Sequence, residues 1–516
     1  MDRRTKILTL GAVCLGLFML MLDTTVVNLA LPTIERKLGS GLAGLQWIVD
    51  AFTLVLACLM LTGGTLGDLY GRKRAYLGGL LLFTTGSLMC AFAPSVGVLI
   101  GARSLQGVGA AIMMPVTLAI LTNAFTEPKE RAQAIGIWAG VSGIALALGP
   151  AVGGAMVDSL GWQSIFFMNV PVGLIALVLT WRVVKESKDP EGRSLDVPGQ
   201  FLAVLGLGSL TYALIEASTY GWSSSRIVTF LIVAVLALGG FALLERRSAR
   251  PMLDLSFFRN STFSGANGVG MLVSFGLFGI FFLFALFMQN VQGFSPAGAG
   301  VRQLAATLAL VVASIASGPI TGRLGARLPM TIGMLLSAAG VFLFATVQAT
   351  TGYHSYWWML VVLGLGVGLV LSPVTTALMS TVPTSRAGMA AATSSTTRQV
   401  GGVFGIALLG SIVTSRFAGA LTNSLTALHV PAATTAKIVA MAQQGGQSSG
   451  QTGVNGLDTA LLHRLIDDSF TSGLHLGLWV CGCLMVAGAI LAAVAVRGTS
   501  PHAQLARKAR AGAPRA

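Results

Sequence analysis

A helix needs about 20 apolar residues to cross the hydrocarbon core of a bilayer, and stretches of that kind recur fourteen times along this chain. They lie near 7–29, 45–66, 75–93, 96–121, 132–157, 165–184, 197–217, 227–244, 263–288, 300–321, 329–349, 356–380, 399–415 and 470–496. Most of the intervening segments are short and polar. The pattern predicts an all-α polytopic membrane protein. The first stretch follows Met1-Asp-Arg-Arg-Thr-Lys6 as a signal core would, but it is too long for one and carries Asp23, which predicts a retained span.

Composition agrees. Of the 516 residues 54% are hydrophobic and 10% charged, against about 25% charged in a soluble globular domain, which excludes a water-soluble enzyme. The 33 basic and 18 acidic residues leave a net charge of +15. In a soluble protein that excess would suggest nucleic acid; here it reports sidedness. With the N-terminus inside, 25 of the 33 basic residues fall in inside segments and 6 in outside loops, namely Arg36, Lys37, Arg226, Arg416, Lys437 and Arg464. The excess predicts a multi-pass protein of the cytoplasmic membrane with both termini cytoplasmic. Cys14, Cys58, Cys90, Cys481 and Cys483 all lie in apolar runs, and no two of the five histidines have a metal-ligand spacing. No disulfide, metal or cofactor is expected.

Two loops resemble each other. Gly64-Thr-Leu-Gly-Asp-Leu-Tyr-Gly71-Arg-Lys-Arg74 joins spans 2 and 3, and Gly318-Pro-Ile-Thr-Gly-Arg-Leu-Gly325-Ala-Arg327 joins spans 10 and 11. An offset of eight spans predicts two six-helix bundles with an added pair between them. The expected units are an N-terminal bundle over 1–184, an inserted pair (spans 7 and 8) over 185–260, and a C-terminal bundle over 261–516. Parallel repeats of this kind build one transporter architecture, with the substrate site between the halves. The last bundle includes a long outside loop at 416–469, whose Ala, Thr, Gln, Gly and Ser predict mostly flexible chain with a surface helix, and a cytoplasmic tail at 497–516.

An ionisable group inside a span is costly unless paired or hydrated, so it marks a functional candidate. Asp23 lies six residues before the end of span 1, Arg103 seven residues into span 4 and Asp50 five residues into span 2. At 1.5 Å per residue all three sit about 8–10 Å from the outer face. A carboxylate facing a buried guanidinium can act as a proton switch, because pairing favours the ionised acid and burial the neutral one. A fixed structural ion pair is the alternative for Asp23, and contact with interfacial water the alternative for Asp50. Glu216 at the outer end of span 7 and Gln289 at the end of span 9 complete the polar candidates for a substrate cavity with Asp23 and Asp50. In the Gly64–Arg74 loop, Asp68 stands where it can cap a helix N-terminus or pair with Arg72 or Arg74, contacts that must break if the halves rock. Span 5 contains Gly140, Gly149, Pro150, Gly153 and Gly154. The proline bends such a span, and the glycines leave a flat face for close packing against a moving neighbour.

These residues resemble the major facilitator superfamily, and within it the fourteen-helix drug:proton antiporters. Leu22-Asp-Thr-Thr-Val-Val-Asn-Leu-Ala-Leu-Pro32 is similar to that branch's carboxylate motif, Gly64–Arg74 to the gating motif, Arg103-x-x-Gln-Gly107-x-Gly109 to the fourth-helix motif, and Gly140–Gly154 to the motif of exporters. Trp162–Gly173, Ser372–Thr376 and Arg398–Gly402 also resemble this branch. The resemblance implies the major facilitator fold with fourteen transmembrane helices arranged 6+2+6. It implies that Asp23 and Arg103 couple protons to export, that Asp68, Arg72 and Arg74 with Gly64 and Gly71 form an inner gate, and that Gly149–Gly154 keep the transporter tight. Leu69 departs from the basic residue that often follows the gating aspartate, and Gln163-Ser164 from the usual basic-aromatic pair.

The expected function is proton-coupled export of amphipathic drugs or antibiotics, cationic ones included, by a monomer in the lipid bilayer that uses no cofactor but the proton gradient. A narrow exporter of one endogenous metabolite or self-made antibiotic is the alternative. A polytopic enzyme or sensor is more distant, since the chain offers neither a buried nucleophile with its base nor an added soluble domain.

Overall fold

The computed structural model describes residues 2–188, 196–248, 253–382, 387–443 and 459–497. Each of the fourteen apolar stretches falls on helix. The helices are α1 Arg3–Leu38, α2 Leu42–Tyr70, α3 Arg72–Ala91, α4 Val96–Ala124, α5 Pro128–Leu160, α6 Ser164–Phe167, α7 Asn169–Val183, α8 Val197–Tyr220 and α9 Ser225–Arg247. After them come α10 Ser261–Leu286 with a π turn over Phe287–Val291, α11 Pro296–Leu324, α12 Arg327–Phe344, α13 Tyr353–Met379, α14 Ala387–Ala427, α15 Ala432–Gln443 and α16 Thr459–Ala495. Taking α6 with α7, thirteen of the described helices are long and apolar enough to cross a membrane. The third of the expected spans, α3, has 20 residues and opens on Arg72-Lys-Arg74. Large apolar side chains such as Val235, Leu236 and Ile315 stand exposed on the outer surface, as lipid requires. This is a multi-pass membrane protein.

Packing repeats along the chain. In the first half α1 packs on α5 and α7, α2 on α4, and α3 on α4 and α7; in the second, α10 packs on α14 and α16, α11 on α13, and α12 on α13 and α16. The seam between the halves has matching contacts, α2 on α14 and α5 on α11. The pair α8 and α9 pack on each other, and α8 also reaches α2 and α14 across one seam. The two similar loops share a backbone device as well. Gly71 and Gly325, each after the helix that opens the motif, have φ of +108° and +78°, a region that side chains strongly disfavour.

Two boundaries differ from expectation. α14 begins at 387 and runs 41 residues, about 62 Å at 1.5 Å per residue, where a 17-residue span was expected at 399–415. Arg398 therefore lies inside a helix beside Gly270 of α10, and is not an inside-loop anchor. The 416–469 segment, expected to be mostly flexible with a surface helix, is helical over most of its described residues, apart from a turn at 428–431 before the helix α15. The end of α14, α15 and the start of α16 form a small cap whose core is Phe417, Leu421, Leu425 and Ile438. Phe417, Leu421 and Leu425 recur every four residues on one helix face, a signal diluted by the Ala, Thr and Ser around them. Residues 444–458 and 498–516, which include much of the loop's Gly/Gln/Ser run and nearly all of the tail, lie outside the described residues.

Candidate coupling site and gates

Asp23 and Arg103 meet. Asp23 of α1 is 2% exposed and Arg103 of α4 is 1% exposed, and Nη1 of Arg103 donates to Oδ2 of Asp23 at 2.5 Å. A lone buried charge would cost several kcal/mol, and neutral partners complete the site. Asn169 Nδ2 donates to Asp23 Oδ1 at 2.8 Å, and Gln106 Nε2 approaches the same oxygen at 3.4 Å. Arg103 Nη1 also donates to Gln106 Oε1 at 2.9 Å, and its Nε to the Ile48 carbonyl at 3.2 Å. Ser87 links the two amides, accepting from Gln106 at 2.5 Å and Asn169 at 3.1 Å. The guanidinium lies 4.3 Å from the centre of the Phe52 ring, a cation–π contact. Four helices, α1, α3, α4 and α7, thus hold one carboxylate by one charged and two neutral donors. If the carboxylate took a proton, it would surrender the charged acceptor that fixes Arg103.

Asp50 does not join this network. It is fully buried, and neither carboxylate oxygen has a hydrogen-bond partner, so interfacial water is not its environment. Nor do the four cavity candidates assemble. Asp23 is engaged by Arg103, while Glu216 accepts from Trp47 Nε1 at 3.1 Å and ties α8 to α2. Gln289, in the π turn, donates to the Leu29 carbonyl of α1 at 3.0 Å. Among the described residues, that bond is one of six hydrogen bonds across the seam that cluster toward the end where Gly39 stands between α1 and α2. The others are Gln46 Nε2 to the Ile406 and Ala407 carbonyls at 2.8 and 2.9 Å, Asn290 Nδ2 to Glu35 Oε2 at 3.1 Å, the Ala297 amide to Asp158 Oδ2 at 3.0 Å, and Thr307 Oγ1 to the Ala147 carbonyl at 3.3 Å.

The gate motif at the opposite end closes on its own half. Asp68 lies in the last turn of α2 and accepts from Arg72 Nε at 3.1 Å and Nη2 at 2.9 Å. The expected capping role belongs to another residue. Glu186, after α7, accepts from the Lys73 and Arg74 amides at 3.0 and 3.3 Å, placing an acid at the N-terminus of α3. Arg74 is 3.8 Å from Glu186, not from Asp68. A Cβ on Gly71 would stand 2.7 Å from the Glu186 carboxylate. Gly64 is less constrained, since a Cβ there would meet Pro115 at 3.4 Å.

In α5 the motif glycines divide. Gly149 and Gly153 face α1 beside Asp23: a Cβ would come within 2.9 Å of Thr25 Cβ and 2.7 Å of Val26 Cγ1 respectively. Gly154 faces α11, where a Cβ would be 2.8 Å from the Ala297 Cα. Pro150 lies between these faces, under Gly300 of α11. Gly140 has no atom within 4 Å of a Cβ and takes no part in this packing. Among the described residues no group of three His, Cys, Asp or Glu could hold a metal ion, and the five cysteines are free.

Sequence reasoning assigned no role to Asn169, Gln106, Ser87, Glu186 or Glu35. Gln106 sits three residues after Arg103 on the same helix face, which could have paired them.

The family profile described as Major Facilitator Superfamily matches residues 13–406. The chain is 41% identical over 413 residues, 80% of its length and 76% of the relative's, to "Multidrug resistance protein Stp" of Mycobacterium tuberculosis. It is 34% identical over 490 residues, 94% of its length and 90% of the relative's, to "Tetracenomycin C resistance and export protein" of Streptomyces glaucescens. Its fold is similar to the crystal structure of a bacterial homolog of the human lysosomal transporter Spinster, inward-facing and occupied, with a TM-score of 0.65 at 18% identity over 97% of this chain and 98% of that one.

Proposed function

From the premise that this chain belongs to the Major Facilitator Superfamily and is a transporter, not an enzyme, we propose that it is a proton-coupled antiporter. It exports amphipathic drugs or antibiotics across the cytoplasmic membrane by alternating access. The observation that carries this reading is the buried Asp23–Arg103 pair with its ring of neutral donors, packed against the glycine face of α5. Protonation of Asp23 releases Arg103 from its charged partner, and the release is felt at once by α1, the helix on which Gly149 and Gly153 rest. Asp50, buried without a partner, is a second carboxylate able to take a proton or a cationic substrate. A proton entering down a 100 mV potential supplies about 2.3 kcal/mol.

The repeated helix pairings and the separate α8–α9 pair support fourteen spans arranged 6+2+6. The clustering of seam hydrogen bonds toward Gly39 supports a state closed at that end. The basic-residue count supports reading that end as the outside; on this reading both termini are cytoplasmic, and the gate loop stands at the inner face with Asp68 and Arg72 paired on their own half. The named relatives support drug or antibiotic export, and one of them, named for tetracenomycin C alone, favours the narrower alternative of an exporter for a single antibiotic.

The test is substrate-driven proton release from reconstituted vesicles with a panel of cationic and neutral compounds. Asp23→Asn is expected to abolish proton-coupled transport while leaving the folded protein recoverable. Coupled transport that survives this substitution rules out the switch. Ethidium efflux from cells separates the alternatives: resistance to one neutral antibiotic, with no change toward any cationic dye, selects the narrow exporter.

A further inference from the structure

At the Gly39 end, beneath α15, the structure holds a cavity that neither the coupling site nor the gates use. Its walls come from α1 (Glu35), α10 (Leu286), α14 (Thr414, Phe417) and α16 (Ile466, Phe470), with Asn290 of the π turn and the end of α15 completing them. About 670 Å³ lies between the walls, counting the open mouth.

Three features give the cavity its chemistry. First, Glu35 is 9% exposed and is the one acid among the lining residues. The one lining cation, Arg36, is turned back along α1, its Nε donating to the Pro32 carbonyl at 3.2 Å and its Nη2 to Thr33 Oγ1 at 3.4 Å. Second, the walls from α10, α14 and α16 are mainly apolar and carry two aromatic rings, Phe417 and Phe470, and ring faces attract organic cations that are weakly hydrated. Third, the hydrogen bond from Asn290 to Glu35 crosses the seam between the halves at 3.1 Å. A cation on Glu35 therefore competes with a contact that holds this end shut.

We propose that this cavity is a second binding site for an amphipathic organic monocation, with Glu35 as its counter-charge and the Phe417–Phe470 wall receiving the apolar part. Its place on the seam makes it the last station of a cationic cargo before release. The assignment as a station rests on the export reading above; the binding itself does not. An ammonium or quaternary ammonium head would pair with Glu35, and its apolar body would lie against the Phe417–Phe470 wall.

The experiment is photolabelling of the full-length protein in lipid nanodiscs with 4-azidobenzyltrimethylammonium, with labelled positions mapped by peptide mass spectrometry. Label is expected on residues 411–443 and 459–470. Benzyltrimethylammonium should compete for it, and neopentylbenzene, the same shape with carbon in place of the charged nitrogen, should not. Glu35→Gln keeps an oxygen for Asn290 but removes the charge, and should raise the concentration needed for labelling by about tenfold. Ile466→Trp fills the cavity with Glu35 intact and should also suppress labelling, which decides the matter if the Glu35 variant fails to fold. Absence of label from these segments, equal competition by the neutral isostere, or undiminished labelling in either folded variant overturns the proposal. Vesicle transport is read separately. Labelling without proton-coupled efflux leaves the site standing and removes the export reading, whereas efflux without labelling does the reverse.

Discussion

At the scale of single residues, Arg103 shows how much a buried charge depends on its geometry. Its Nη1 serves both Asp23 and Gln106, its Nε holds the Ile48 carbonyl, and its plane stacks near Phe52. Lysine would keep the charge but has no fork of donors and no plane. Arg103→Lys is therefore expected to fold with a lowered melting temperature and to lose about tenfold or more of substrate-driven proton release, since a broken buried pair costs roughly 3–5 kcal/mol. Full activity in the lysine variant would mean that charge alone, and not the network, matters. Asp23 and Arg103 were legible because an ionised residue in an apolar run has few innocent explanations. Asn169, Ser87 and Gln106 were not, since neutral polar residues in a span cost little and their convergence on Asp23 exists only in three dimensions. Glu35 lies beyond the apolar run that ends at residue 29, so the pattern places it in a loop; the helix continues to Leu38 and carries the carboxylate into the cavity under α15.

At the scale of the element, α5 separates glycines that packing requires from those it does not. Gly153 has Val26 of α1 where its Cβ would be, at 2.7 Å, whereas Gly140 faces open space. Overpacking a close contact costs roughly 1–3 kcal/mol, while alanine in an open helix position gains about 0.8–1 kcal/mol over glycine. Gly153→Ala should lower the melting temperature and let protons leak through energised vesicles, and Gly140→Ala should raise it slightly with no leak. Equal behaviour of the pair would detach the α1–α5 contact from tightness. Spacing alone gave both glycines the same standing, because the face each presents depends on where α1 and α11 lie. The segment after 416 failed for a different reason: a four-residue apolar rhythm in a background of small polar residues looks like flexible chain until α15 and α16 supply the surface that buries it. The repeat of the gate loops was legible from the aligned glycines, and the structure gives the eighth-position pair a shared cause in the positive φ of Gly71 and Gly325; that Glu186 caps α3 in place of Asp68 was not, because it lies more than a hundred residues away.

At the scale of the whole molecule, the seam is held unevenly. Gln46, Gln289, Asn290 and the Ala297 amide bond across it toward the Gly39 end, whereas Asp68, Arg72 and Glu186 at the other end bond within their own half. Among the described residues the cross-seam hydrogen bonds gather at one end and resist separation there, which is the asymmetry a rocking transporter must reverse in each cycle. If the reversal occurs, a covalent tie at the Gly39 end should arrest it. Asp158 and Ala297 already touch across the seam, and of the native cysteines four are buried, leaving Cys483 exposed. In a Cys483→Ser background, oxidation of Asp158→Cys with Ala297→Cys should stop transport, and reduction should restore it. Binding of a cationic probe from the Gly71 side should persist in the cross-linked protein, because only the opposite end has been closed. Transport that continues with the cross-link complete would show that the halves need not separate at this end, and the alternating-access reading would fall even with the Asp23–Arg103 switch intact.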